Sequence, residues 1–144
     1  MKGFADTGFL ASLFLEETTT PAAEAALAGQ AEPLPLIPLT MLELRNSLNL
    51  AIVRGRISAA ERDTTWTRFQ EHLAGGSFVE TSLPAAELHA KARELSDRYT
   101  PTLAARSLDL LHIAAAALLG AKVFYSFDER QRKAAAGEGL KIKP

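Results

Sequence analysis

The sequence contains no cysteine among its 144 residues. This absence excludes a disulfide framework, thiolate zinc sites, iron–sulfur clusters and a cysteine nucleophile. Hard oxygen donors are then the metal ligands that remain in quantity. No Walker-type G-x-x-x-x-G-K-[ST], G-x-G-x-x-G, H-E-x-x-H or G-x-S-x-G pattern occurs. Nucleotide-binding and serine-hydrolase functions therefore have no support from the sequence.

An excess of one charge and a long apolar run are also missing. The 16 Lys and Arg against 17 Asp and Glu give a net charge of −1, which argues against a broadly basic surface that coats nucleic acid. The longest apolar run, residues 113–121, is far below the roughly 20 residues that cross a bilayer. Because Asp6 also places an acid too early for a signal peptide, we expect a cytoplasmic protein without a membrane segment.

The length and composition fit one soluble domain. Apolar residues make up 47% of the chain and charged residues 23%, and no change in composition divides it. We therefore expect a single domain over residues 1–144. Short apolar segments, interpreted as strands, alternate with helical patterns, so the sequence predicts an α/β fold: a short parallel central sheet with helices on both faces.

The predicted elements follow from periodicity and end signals. The strands cover 2–5, 34–38, 77–81, 122–126 and 140–142, and the helices cover 7–16, 20–29, 40–54, 58–73, 84–98, 107–119 and 128–136. Thr20 is interpreted as an N-cap, and Ser58 with Glu61 as a capping box. Pro101 predicts a non-helical Thr100 within a loop over 100–105.

Four acidic residues lie at the junctions of these elements. Asp6 ends the first strand, and Asp128 follows the strand at 122–126 by two residues. Asp109 lies in the first turn of the most apolar helix, and Glu43 in the first turn of the helix after the strand at 34–38. Taken singly, these acids have structural explanations as helix caps, as a Thr40–Glu43 capping box or as partners of a helix dipole.

Taken together, the four acids point to a shared site. In a parallel sheet the strand ends and the helix starts that follow them meet at one edge, where ligands bind. Four converging carboxylates would repel one another and resist ionisation unless a cation lies between them. Oxygen ligands of this kind favour Mg²⁺ or Mn²⁺ over zinc.

At these residues the chain resembles the PIN-domain family, and most closely the VapC-type toxin ribonucleases. Four segments carry the resemblance in order: F-A-D-T-G-F-L at 4–10, I-P-L-T-M-L-E-L at 37–44, R-S-L-D-L-L-H-I-A-A-A at 106–116, and Y-S-F-D at 125–128. The third segment matches the pattern R-x-x-D-x-x-H-x-A-x-A and is the most distinctive. Ser126 stands where many relatives carry threonine.

The resemblance implies a metal-dependent endoribonuclease specific for single-stranded RNA. Its site would consist of Asp6, Glu43, Asp109 and Asp128, holding one or two Mg²⁺ or Mn²⁺ ions. A metal-activated water would attack a phosphodiester of an RNA such as a tRNA or rRNA. The resemblance also implies a homodimer held inactive by a cognate VapB-like antitoxin, which inserts a tail segment into the acidic groove.

Four further residues near these acids have two interpretations each. Thr7 and Ser126 either orient ligands and water or are simple cap and turn hydroxyls. Arg106 either contacts a phosphate or orients a carboxylate through a salt bridge. For His112, three residues after Asp109, we favour a packing histidine over a general base.

Other functions remain as alternatives. One is a PIN-like scaffold that binds RNA or a protein without turnover, and another is a PIN nuclease in RNA processing that has no antitoxin. Asp6-Thr7-Gly8 also spells the aspartic-protease triplet. That all-β fold continues the triplet into strand, whereas a helical pattern follows here, so the protease interpretation is disfavoured.

Overall fold

The computed structural model describes residues 1–144, and it contains seven helices and five strands. Their bounds are β1 Gly3–Ala5, α1 Thr7–Phe14, α2 Thr20–Leu27, β2 Leu34–Leu36, α3 Pro38–Val53, α4 Ala59–Ala74, β3 Phe78–Glu80, α5 Ala85–Leu103, α6 Ser107–Leu118, β4 Val123–Tyr125, α7 Glu129–Gly137 and β5 Lys141–Lys143. None of these helices combines the length and the hydropathy that crossing a membrane requires.

All strand pairs are parallel, as the alternation of strands and helices predicts. One sheet has the order β1-β4-β5, with Phe4 opposite Phe124 and Phe124 opposite Ile142. A second pair joins β2 to β3, with Leu34 opposite Phe78. Strands β1 and β2 lie in contact although no ladder joins them. The predicted small parallel sheet is therefore confirmed, but its hydrogen bonds form two separate parts.

Successive side chains of each strand point to opposite faces of the sheet. Helices cover both of these faces. Phe4 and Phe124 pack in one core with residues of α5, α6 and α7. Their neighbours Ala5 and Tyr125 pack in a second core with residues of α1, α3 and α4. Burial on both faces explains why β1, β2 and β4 read as continuous apolar runs in the sequence.

Helix α5 departs from the sequence-based prediction. It continues through Pro101 to Leu103, so the predicted loop over 100–105 was wrong for its first four residues. Tyr99 and Leu103 pack against the core formed with α6 and α7, and this packing outweighs the preference of the residue before proline for extended backbone. Ala104 caps the end of the helix: its φ of 51° is left-handed, and its N–H donates a hydrogen bond to the Thr100 carbonyl.

Helix starts differ from prediction at two places and agree at a third. Helix α3 begins at Pro38 rather than Thr40, because proline is well suited to a first helical position. Consequently Glu43 lies in the second turn, the Thr40–Glu43 capping box is absent, and the Thr40 hydroxyl has no hydrogen-bond partner. Thr20 is the first residue of α2 rather than its cap, whereas the capping box of Ser58 and Glu61 is confirmed.

Candidate active site

A polar cleft lies at the carboxyl end of β1 and β4. Its volume is about 330 Å³, and only one of its thirteen lining residues is hydrophobic. All four acids singled out in the sequence line it: Asp6 directly after β1, Glu43 on α3, Asp109 on α6 and Asp128 before α7. The structure therefore brings the four acids to one place, as the parallel topology implies.

Ser126 joins the two acids that follow strands. Its hydroxyl donates a hydrogen bond to Oδ2 of Asp6 and accepts one from the backbone N–H of Asp128 at 3.0 Å. Because Ser126 is fully buried, its hydroxyl makes these two hydrogen bonds persistently. Asp6 and Asp128 also begin helices: Oδ1 of Asp6 accepts from the Phe9 N–H at 2.7 Å, and Oδ1 of Asp128 from the Gln131 N–H at 2.9 Å.

The carboxyl group of Asp6 lies in an environment that resists its negative charge. Burial raises the pKa of Asp6 to about 6, and the charge of Asp128 adds to the increase. The bonds from Ser126 and the Phe9 N–H and the attraction of His112 act in the opposite direction and only partly offset it. Asp6 is 2% exposed, so a cation in the cleft would compensate a charge that solvent does not reach.

Glu43 is held from two sides by Thr7 and His112. The Thr7 hydroxyl donates to Oε1 of Glu43 at 3.0 Å, and Nε2 of His112 lies 2.5 Å from the same oxygen. Partial burial acts to raise the pKa of Glu43, but the hydrogen bond and attraction of His112, with the Thr7 bond, outweigh it and lower the pKa. His112 is buried, as we expect for a packing residue. Its polar contact with Glu43 is not part of that interpretation.

Asp109 is also contacted by two side chains. Nε of Arg106 lies 3.2 Å from its Oδ2, and the amide nitrogen of Gln131 donates to its Oδ1 at 3.2 Å. The Arg106 side chain is 70% exposed and lines the cleft. Of the two interpretations of Arg106, the carboxylate contact is present in this structure, and the exposed guanidinium also leaves donors for a phosphate.

Gln131 and Glu17 are among the cleft residues that sequence reasoning missed. Gln131 is buried there and contacts both Asp109 and Asp128; its position three residues after Asp128 signalled only a helix cap. Glu17 also lines the cleft, bound by the hydroxyl of Ser12 at 3.1 Å and by Arg56 at 3.3 Å. It lies in the connection between α1 and α2, where no periodicity or motif marks it.

The donor set of the cleft suits a hard divalent cation. Five carboxylates and one arginine line it, and every carboxylate supplies oxygen. In this structure each of the four motif acids is bound by protein donors, and no three acidic or histidine side chains are grouped closely enough to hold an ion. Occupation by a cation would therefore require small side-chain rearrangements that exchange some of these bonds.

The fold and the cleft together define a class of protein: an α/β domain with carboxylates at the carboxyl edge of a parallel sheet, the edge at which such sheets bind their ligands. The family model described as "PIN domain" matches residues 4–137. The chain belongs to the PIN-domain family. No curated protein matches its sequence significantly.

Solved structures with the same fold include a toxin and a toxin–antitoxin complex from Klebsiella pneumoniae. VapC20 of Mycobacterium tuberculosis, a toxin that cleaves the sarcin–ricin loop, has a TM-score of 0.72 at 17% identity, over 99% of this chain and 100% of its own. FitAcB from Neisseria gonorrhoeae has a TM-score of 0.67 at 17% identity, over 99% of this chain and 96% of its own. VapBC2 from Rickettsia felis, bound to a promoter DNA fragment, has a TM-score of 0.67 at 12% identity, over 99% of this chain and 98% of its own.

Proposed function

We propose that this protein is a Mg²⁺- or Mn²⁺-dependent endoribonuclease, and that it is the toxin of a toxin–antitoxin pair. The observation that carries the proposal is the single cleft lined by Asp6, Glu43, Asp109 and Asp128 on a PIN domain. The similarity in fold to VapC20 and to the toxin–antitoxin complexes supports it. In this proposal residues 1–144 act as one catalytic domain in the cytoplasm.

The charge of the cleft supports a role for a cation. RNA is a polyanion, and a cleft with five carboxylates would repel its phosphates. A bound Mg²⁺ or Mn²⁺ would offset part of this charge and supply an activated water together with stabilisation of the phosphodiester displacement. Asp6, Glu43, Asp109 and Asp128 would hold one or two such ions, and the products would carry a 5′-phosphate and a 3′-hydroxyl.

The other residues of the cleft would position these acids and the substrate. Ser126 holds Asp6 and the backbone of Asp128, and Thr7 holds Glu43. The exposed guanidinium of Arg106 would contact an RNA phosphate at the rim. We propose a homodimer, and a VapB-like antitoxin whose tail enters the cleft and pairs an arginine with its carboxylates.

The test is direct cleavage of RNA by the purified protein free of antitoxin. A panel of tRNAs and rRNA fragments is incubated with and without Mn²⁺, and the cut ends are mapped. We expect cleavage that requires Mn²⁺ and that Asp6→Asn or Asp109→Asn abolishes while circular dichroism and thermal unfolding show an intact fold. Equal cleavage by the wild type and both variants would contradict the proposal.

A second candidate is a PIN-domain scaffold that binds RNA or a protein in the same cleft without turnover. It is favoured by one observation: the acids are satisfied by protein donors and are not grouped to hold an ion as they stand. Tight RNA binding with no cleavage at any Mn²⁺ concentration would support this candidate. Mn²⁺-dependent cleavage without any antitoxin partner in the cell would instead indicate a nuclease of RNA processing.

A further inference from the structure

His112 makes a buried polar contact with one of the motif acids. The residue is 2% exposed and lies on α6, whereas Glu43 lies on α3, so their bond connects two helices. Nε2 of His112 is 2.5 Å from Oε1 of Glu43 and 3.3 Å from the Thr7 hydroxyl. Because the carboxylate oxygen can only accept, the short contact requires the proton on Nε2.

Neither ring nitrogen of His112 is available to a substrate. Nε2 is engaged with Glu43, and Nδ1 is buried without a hydrogen-bond partner. The Phe4 ring lies 6.1 Å away in the apolar core. A general base must reach the proton it abstracts within hydrogen-bond distance, directly or through one water. The surroundings of His112 therefore do not suit direct acid–base chemistry.

The two donors that contact Glu43 select one of its oxygens. His112 and Thr7 both bond Oε1, so neither of these donors occupies Oε2. A free glutamate side chain samples several rotamers, and ordering it has an entropic cost. Two bonds to one oxygen offset that cost in advance, and they fix which oxygen stays free.

We propose that His112 is a positioning residue: with Thr7 it holds Glu43 by Oε1 and leaves Oε2 as the oxygen that a divalent cation in the cleft would use. The inference rests on the proposed function for its cation and extends it to a residue outside the four acids. Removing an outer partner of a metal ligand typically weakens metal binding about 10- to 100-fold. We expect a loss of that size when the His112 donor is removed.

The first test needs neither metal nor RNA. Two-bond ¹H–¹⁵N correlation spectra of the imidazole in the metal-free protein report which ring nitrogen carries hydrogen. We expect a protonated Nε2 that shifts in Glu43→Gln. An Nδ1–H tautomer with a bare Nε2 would overturn the proposal, because that nitrogen could only accept from Thr7 and could not bond a carboxylate.

The second test compares variants by Mn²⁺ binding, measured as free Mn²⁺ by electron paramagnetic resonance. His112→Gln keeps an N–H donor near the position of Nε2, whereas His112→Leu fills the space without one. We expect His112→Leu to bind Mn²⁺ about 10- to 100-fold more weakly and His112→Gln to bind it nearly as well as the wild type. Equal losses in both variants, or no loss in either, would overturn the proposal.

A double mutant separates positioning from general damage to the fold. If His112 acts through Glu43, His112→Leu has no further effect on Mn²⁺ affinity in a Glu43→Ala background. A further loss in that background would overturn the proposal. Should His112→Leu fail to fold, His112→Asn replaces it, because its shorter amide stays polar but does not reach the Nε2 position.

The two proposals can fail separately. If the wild type binds no Mn²⁺ and cuts no RNA, the metal-dependent nuclease is wrong, and the imidazole spectra still decide whether His112 holds Glu43. If the wild type cuts RNA with Mn²⁺ but His112→Leu binds Mn²⁺ as the wild type does, only the positioning role is wrong.

Discussion

The side-chain amide of Gln131 donates a hydrogen bond to Oδ1 of Asp109 across 3.2 Å, joining α7 to α6 inside the cleft. The backbone N–H of the same residue bonds Oδ1 of Asp128 at 2.9 Å. One glutamine thus fixes two motif acids relative to each other. The residue is 6% exposed, so solvent does not replace the bond easily.

We expect Gln131→Leu to impair the site through Asp109 while leaving the helix cap in place. The backbone N–H that caps Asp128 remains, but the side-chain donor is lost. Loss of an outer partner predicts Mn²⁺ affinity and RNA cleavage lower by about 10- to 100-fold. The control is Lys133→Leu, because Lys133 is exposed on the same helix and lies outside the cleft. Wild-type affinity in Gln131→Leu would contradict this role.

Asp6 should make the metal-free protein less stable as the pH rises. Its carboxyl ionises near the ordinary aspartate pKa of 3.8 when unfolded but near 6 when buried, so between these values the folded state binds more protons. The free energy of unfolding then falls with rising pH, by about 3 kcal/mol for a shift of about two pKa units. Urea unfolding in EDTA from pH 4 to 7.5 measures this fall, which we expect to be absent in Asp6→Asn.

Asp97 is exposed, so Asp97→Asn serves as the control for that series and should follow the wild-type stability profile. Parallel profiles for the wild type and Asp6→Asn would show that burial of Asp6 is not the cause. Adding Mn²⁺ at pH 7 should stabilise the wild type more than Asp6→Asn, because a ligand that binds only the folded state raises its stability.

Glu138 links the end of α7 to α5, and its loss should destabilise the fold. Burial acts to raise the pKa of Glu138, but hydrogen bonds from Tyr99 and Arg98 and the attraction of nearby cations lower it overall. At pH 7 we expect Glu138→Gln to lower the free energy of unfolding by about 1–3 kcal/mol. A depressed folded pKa stabilises above the unfolded value of 4.5, so the difference should shrink as the pH falls below that value.

The matched control for this prediction is Glu129→Gln, because Glu129 is the first residue of α7, which Glu138 caps, and is 73% exposed in its pair with Arg132. Its substitution should change stability by no more than about 0.5 kcal/mol. If both variants lose the same stability in urea unfolding, the network around Glu138 contributes nothing beyond an ordinary surface pair.

Arg106 should contribute one phosphate contact. Its side chain is 70% exposed at the cleft although it pairs with Asp109. RNA binding is measured against salt in the Asp6→Asn background, which prevents cleavage. Loss of one contact with single-stranded RNA reduces the slope of log affinity against log salt by about 0.7. We expect this for Arg106→Gln, and no change for Arg93→Gln on the exposed side of α5. An unchanged slope would leave Arg106 with the carboxylate role alone.

Much of the fold and the outline of the site follow from the sequence. The alternation of short apolar segments with helical patterns is sufficient to predict the parallel strands. The positions of Asp6 and Asp128 just after strands are sufficient to place both acids at the sheet edge. Local rules failed where longer-range packing dominates. Pro101 stays helical because Tyr99 and Leu103 are held by the core.

The contacts that orient the acids could not be predicted from spacing. Glu43 and His112 are 69 residues apart, and Gln131 and Asp109 are 22 apart, so only the folded arrangement of the helices brings each pair together. Glu17 enters the cleft from a connection that has no periodic pattern. Periodicity identifies which face of a helix is buried, but it does not identify the partner on another helix.

Asp6 and Asp128 each begin a helix as well as lining the cleft. Asparagine begins helices about as well as aspartate does, so the charge at either position can be lost without losing the helix start. Under the proposed function, loss of activity is thereby separated from unfolding. Under that same function, a lineage under selection to silence this protein has a short mutational route to a folded, inert copy, and that copy would still present the rest of its surface to any partner it binds.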